Sequence, residues 1–335
     1  MLVSELTNRM ANRREQAIVV DVEAITVDSA AAQITVGDTV FPFDEVAEKT
    51  LAKFLDIPAN YLKSCPSTFK AHTANFWLDE LADTEATVHT VNDQLVAITS
   101  SDIITVPTPA VGNVITKVFD GDDKVSFYRG TDARGLEFVQ FDVLSNAHQV
   151  DVPNPLNIPF RPQVGDVTSG GMRFYSYPYS LTPPSALPYF ERLVCTNGMT
   201  TEERLGRISI KGNTVEEVIE ELETKARELF AVLDNGLQSY AETAAKRVPG
   251  SLQAFAYQLG REYKLSASVM DEVMSIINQL PEDTATVYDV NQAFTEVANR
   301  GVTAGVRRSL QTLGGSLALQ ADKMIQRCGT CERLL

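Results

Sequence analysis

The sequence predicts an α+β protein, with a mixed N-terminal domain over residues 1–211 and a helical C-terminal domain over 212–335. Three observations predict it. Short runs rich in Val, Ile, Phe, Tyr and Thr dominate the chain up to residue 211, as in an antiparallel-rich sheet. After Gly212 the apolar spacing changes to the 3.6-residue period of a helix. The chain also has 335 residues, 44% of them hydrophobic, which is enough for a sizeable core in each of two domains.

The strand-type runs lie at 17–22, 31–41, 94–99, 125–128, 136–143, 172–179 and 192–195. A helical insertion interrupts them at 44–55, where Val46, Leu51, Phe54 and Leu55 share one side and Glu45, Glu48, Lys49 and Lys53 lie largely outside. Pro58 stops or restarts that helix, and 60–65 and 67–81 continue as helical pieces. Past Gly212, Thr214 and Glu217 have the spacing of a capping box, and apolar residues recur at helical spacing from Val215 to Leu237. Further helices are predicted at 252–263, 268–279, 287–300 and 306–327, separated by Pro249-Gly250, Pro281 and Gly301. Four prolines in 151–162 and four more in 177–188 rule out a central strand or regular helix there and predict extended connectors.

The formal charge is −15. That argues against a protein that coats duplex DNA through an overall positive surface, because such affinity comes from neutralising phosphates. The acidity is uneven, however. Residues 21–111 carry −10 and 212–300 carry −8, while 161–211 carry +2 and 301–335 carry +3. A local basic groove in the centre is therefore open.

Cys65, Cys195, Cys328 and Cys331 are too few and scattered for a disulfide framework, and no apolar run reaches the ~20 residues of a membrane helix. The expectation is a cytoplasmic protein without a membrane partner. Common phosphate-loop, dinucleotide, nucleophile-elbow and zinc-protease motifs are absent, and His72, His89 and His148 are isolated. The carboxylates clustered from Glu216 to Glu223 suit a solvated helix face better than acid/base catalysis. No catalytic residues are expected. Cys328-Gly-Thr-Cys331 supplies half a tetrahedral zinc site, so zinc is the one cofactor the sequence raises, beside the plainer reading of a reduced tail.

The centre of the chain holds the most suggestive chemistry. In an extended strand Tyr175, Tyr177 and Tyr179 project to one face, a row suited to stacking bases, and Arg161, Arg173, Arg192, Arg204, Arg207 and Lys211 lie in the same segment. Phe127, Tyr128 and Arg129, with Arg134, repeat the pairing of aromatic and Arg. Tyrosines on one strand face also pack beneath helices, and that alternative stays open.

The run Arg192-Leu-Val-Cys-Thr-Asn-Gly-Met199, preceded by Gly165-Asp-Val-Thr-Ser-Gly-Gly-Met172, resembles the core of the phage/plasmid-like proteins of domain-of-unknown-function family 932. The helix-proline-helix segment 44–66, the stretch Thr286-Val-Tyr-Asp-Val-Asn-Gln-Ala-Phe-Thr295 and the tail's R-C-x-x-C resemble that family in the same order. The layout is also similar to the Drc-type single-stranded DNA-binding proteins of N4-like phages. These resemblances imply a mobile-element protein and cooperative binding of single-stranded DNA by a homo-oligomer, with phage or host transcription and replication proteins as further partners. Two other readings compete: an acidic protein-interaction or assembly protein, by host-factor binding or DNA mimicry, and a cryptic zinc-dependent enzyme.

Overall fold

In the computed structural model, which describes residues 1–131, 137–152, 166–176, 188–196, 199–248 and 250–328, helix α1 (Val3–Ala11) leads into strand β1 (Glu15–Asp21). Strands β2 (Ile25–Val27), β3 (Gln33–Val36) and β4 (Thr39–Pro42) pair antiparallel in that order. The Asp44 carboxylate then accepts from the N–H groups of Val46 and Ala47 and so caps α2 (Glu45–Phe54). Pro58 and Pro66 separate α2 from α3 (Ala59–Ser64) and α3 from α4 (Ser67–Glu80), as the sequence predicts. A hairpin of β5 (Glu85–Val91) and β6 (Gln94–Ser100) takes β1 on its outer edge. Ile34, Leu51, Leu62, Ala74, Val88 and Ile98 are buried in the core these elements share.

Helix α5 (Thr108–Val118) precedes the central sheet of β7 (Lys124–Thr131), β8 (Glu137–Val152), β9 (Asp166–Ser176), β10 (Tyr189–Thr196) and β11 (Met199–Ser209). It is an antiparallel meander in which each strand lies beside its neighbour in sequence. Side-chain alternation splits it into two faces. Val139, Phe141, Val143, Met172, Phe174 and Phe190 turn to a core shared with α1 and α5. Their neighbours Asp142, Arg173, Tyr175, Tyr189 and Glu191 turn the other way.

Strand β8 shifts register against β9 between Leu144 and Gln149. The buried Asp123 carboxylate fixes this irregular stretch by accepting from Asn146 N–H at 2.6 Å and from Asp120 N–H at 3.1 Å. Just ahead of the shift, a Cβ on Gly171 would collide with the Val143 carbonyl oxygen, so a glycine is required there.

The helices that follow are α6 (Val215–Phe230), α7 (Leu233–Glu242), α8 (Leu252–Glu262), α9 (Ala267–Ile277), α10 (Val287–Ala298) and α11 (Ala304–Cys328). The predicted run from Val215 to Leu237 is two helices, broken after Phe230. Thr214 Oγ1 accepts from Glu217 N–H at 3.2 Å, but the Glu217 carboxylate reaches Asn213 N–H, so the return half of the predicted capping box is displaced by one residue.

The predicted boundary at 212 does not divide two cores. Val218, Leu222 and Ala226 of α6 and Leu233 of α7 join the core of the sheet. Periodicity identifies which side of a helix is buried, not what it is buried against. A separate helical core does form farther on, around Leu252, Phe255, Val273, Ile277, Phe294 and Leu313. Helix α11 joins that core through Leu310, Leu313, Leu317 and Ala321 and turns its other side to the second face of the sheet, where Arg308 and Gln311 meet Glu191 and Arg173. The architecture is α+β, with the central sheet between two helical layers. Among the described residues no helix is long and apolar enough to cross a membrane.

Candidate nucleic-acid interface

Alternation along β7 sends Phe127 and Tyr128 to opposite faces. Phe127 turns inward onto Phe141, ring centroids 5.0 Å apart, with the Arg9 guanidinium 5.4 Å from its centroid. Tyr128 is 46% exposed, and Arg129 beside it is exposed as well. Strand β7 is an edge of the sheet, which is why these two reach solvent while the same positions on β8 and β9 do not.

Arg173 and Tyr175 require a correction. Arg173 is 2% exposed; its Nε donates to Asp142 Oδ1 at 2.6 Å, Nη2 to Asp142 Oδ2 at 2.7 Å and Nη1 to Gln311 Oε1 at 3.0 Å. Tyr175, at 4% exposed, stacks on Tyr189 at 5.1 Å between centroids, and the Arg308 guanidinium lies 4.8 Å from its ring centroid. In this fold neither side chain is open to a base or a phosphate, because α11 covers the face they share. They form the floor of the sheet rather than its outer platform. Tyr189 and Arg308, which complete the stack, carry no local signal that sequence reasoning could have used.

The remaining candidates divide by position. Arg134, Arg161, Tyr177, Tyr179 and Cys331 lie outside the described residues, as do most of both proline-rich stretches and the predicted turn Asn197-Gly198. Strands β10 and β11 pair on either side of that turn, Thr196 opposite Met199. Arg204 and Arg207 have their backbone in β11 and their side chains outside the description, whereas Lys211 is exposed just past that strand. Since β7 and β11 are opposite edges of a five-stranded sheet, the two groups stand four strand spacings apart, roughly 19 Å. The sheet does not gather them into one cluster. It does bring the ends of four strands together: Thr131, Glu137, Ser176 and Tyr189 lie at one end of the meander.

The Tyr288 to Thr295 motif is internal. Tyr288, Asp289, Asn291, Gln292 and Thr295 are all buried on α10. Asn291 Nδ2 donates to the Gly314 carbonyl at 2.6 Å, Gln292 Nε2 to Tyr240 Oη at 2.5 Å, and Asp289 Oδ2 accepts from Thr286 N–H at 2.8 Å. These polar groups hold α7, α10 and α11 together.

Each histidine has a structural setting. His89 is buried with Nε2 2.9 Å from Thr99 Oγ1, and burial pushes it down to about 4. His148 sits 2.9 Å from Asp234 and edge-on to Phe230, while His72 is exposed. Among the described residues no group of three or more His, Cys, Asp and Glu side chains is placed to hold a metal. The zinc expectation falls outside them, because neither Cys331 nor the side chain of Cys328 is described.

Comparison with protein-family models, curated proteins and solved structures finds no match.

Proposed function

We propose that the protein binds single-stranded DNA without catalysing a reaction on it, in phage DNA replication, recombination or transcription, within the host cytoplasm. One observation carries the reading: Tyr128, half open to solvent, presents its ring on the β7 edge, and the next residue, Arg129, is exposed on the other face of that strand. An exposed aromatic ring at a strand edge suits an unpaired base, stacking of this kind contributes about 1–3 kcal/mol per base, and a cation at the same edge suits the phosphate backbone that runs past it. Duplex DNA keeps its bases stacked on one another and gains nothing from such a ring. The phage setting and self-association on the strand rest on the resemblance to family 932 and to the Drc-type proteins.

The test is fluorescence anisotropy with labelled oligonucleotides. The expected result is binding to single strands in preference to duplex, weakening as salt rises. No binding at low salt, or equal affinity for duplex, overturns the reading.

A further inference from the structure

Helix α4 is built the wrong way round for a surface helix. Its buried side carries Ala71, Ala74 and Leu78, two of them small. Phe69 and Phe76 lie on the opposite side and Trp77 on its flank, exposed by 49%, 52% and 44% in that order. Phe69 and Phe76 are seven residues apart and therefore lie on one line, with Thr73 between them and Trp77 alongside. Phe76 and Trp77 meet edge to face at 5.6 Å. Helices exposed to water normally put polar residues here.

The charges of α4 are inverted too. Its first turn has neither an acidic residue nor a side-chain cap, leaving N–H groups free behind Pro66, while its last turn has no basic residue. Asp79 and Glu80, both exposed, sit instead at the end where carbonyls already gather negative charge.

We propose that α4 is a dimerisation helix that packs antiparallel on the α4 of a second copy of this chain, with Thr73 at the two-fold axis. Symmetry about position 73 sets Phe69 against the partner copy's Trp77, Phe76 against the partner copy's Lys70 and the helix start at Pro66 against the partner copy's Glu80. One arrangement thus covers the aromatic stripe and brings each uncapped helix start to an acidic helix end, which favours both. The small threonine at the axis lets the helices approach. Three half-exposed aromatics bury on the order of 300 Å² per copy, which makes the stripe the central anchor of an interface that in specific dimers covers about 800 Å² per partner. This inference is independent of the DNA-binding reading.

Trp77 is the one tryptophan in the sequence, so emission excited beyond the tyrosine absorption band reports on this surface. Sedimentation velocity and emission spectra across a concentration series should show a monomer–dimer equilibrium accompanied by a blue shift of Trp77. Phe76→Asp, at an exposed position, should weaken the dimer at least about tenfold with an unchanged circular dichroism spectrum; Glu80→Lys should weaken it by less. A monomer at every concentration overturns the proposal. So does association that leaves Trp77 emission and the Phe76→Asp variant unaffected, which places the interface elsewhere. A blue shift that appears only when an oligonucleotide is added to monomer also overturns it and assigns α4 to DNA.

Discussion

Arg173 on β9 holds Asp142 on β8 at two points, Nε to Oδ1 at 2.6 Å and Nη2 to Oδ2 at 2.7 Å, beneath α11. The pair is nearly dry, with side-chain exposures of 3% and 12%. Gln140 Nε2 donates to the same Asp142 Oδ1, and Gln311 accepts from the remaining side of the guanidinium. Removing either partner alone strands a buried charge.

Arg173→Leu should therefore destabilise the fold by about 3–5 kcal/mol, read as a lower midpoint in urea unfolding. Changing both residues together, Arg173→Leu with Asp142→Leu, should recover much of that loss. If the single variant unfolds at the wild-type midpoint, the pair is not structural.

At Gly171 the prediction concerns backbone approach. Gly171→Ala forces β9 away from the Val143 carbonyl beside the register shift of β8, and crowding of this kind costs about 1–3 kcal/mol. Gly301→Ala tests the other reason for glycine, since Gly301 has open space but a φ of +81°. Thermal unfolding of the two variants separates collision from strain.

His89 makes stability depend on pH. The imidazole takes a proton below its ordinary value of 6.5 in the unfolded chain, but only near 4 in the fold, because burial opposes the charge. Between those values the unfolded state binds more protons. The contribution is therefore fully present above pH 6.5 and is lost as pH falls toward 4, by about 3 kcal/mol in all. Unfolding at pH 7 and pH 4.5 should show the loss in the wild type and a smaller one in His89→Gln. Parallel pH profiles for the two proteins would assign the dependence to other groups.

On the β7 edge, Tyr128→Ala should weaken single-strand binding by about 1–3 kcal/mol, while Tyr128→Phe, which keeps the ring, should bind nearly as wild type. Arg129→Gln should lower the salt dependence by about 0.7 in log–log slope for each phosphate that is no longer neutralised. The expected contrast is with Tyr175→Phe, whose buried ring should leave affinity unchanged. If Tyr128→Ala binds as tightly as the wild type, the edge is not the binding surface.

Much of the fold is legible where one pattern acts alone. The 3.6 period marks α8, α9 and α10 to within a few residues, and Pro58 and Pro66 punctuate α2, α3 and α4. Helix α5 escapes sequence reasoning because Val111, Val114, Thr116 and Val118 are β-branched and argue for a strand; burial between α1 and α6 overrides that preference. Strand β11 escapes it for the opposite reason, since Glu202, Glu203 and Arg204 dilute the apolar signal. At the candidate site, the sequence reading groups Phe127 with Tyr128, whereas alternation along β7 turns Phe127 inward onto Phe141 and leaves Tyr128 exposed. Alternation cannot reveal that Tyr175 and Arg173 lie under α11, because the covering residues Arg308 and Gln311 are remote in sequence and nothing local marks them as partners.

The same cover has a consequence for synthesis. The sheet is complete once Ser209 has been made, yet the helix that closes its second face begins only at Ala304. At translation rates of roughly 5–20 residues per second, on the order of 5–20 s separate the two events. For that interval Arg173, Asp142, Tyr175 and Tyr189 lie on a bare sheet surface at the mouth of the ribosome, and a chaperone or a neighbouring nascent chain has first access to it before α11 arrives.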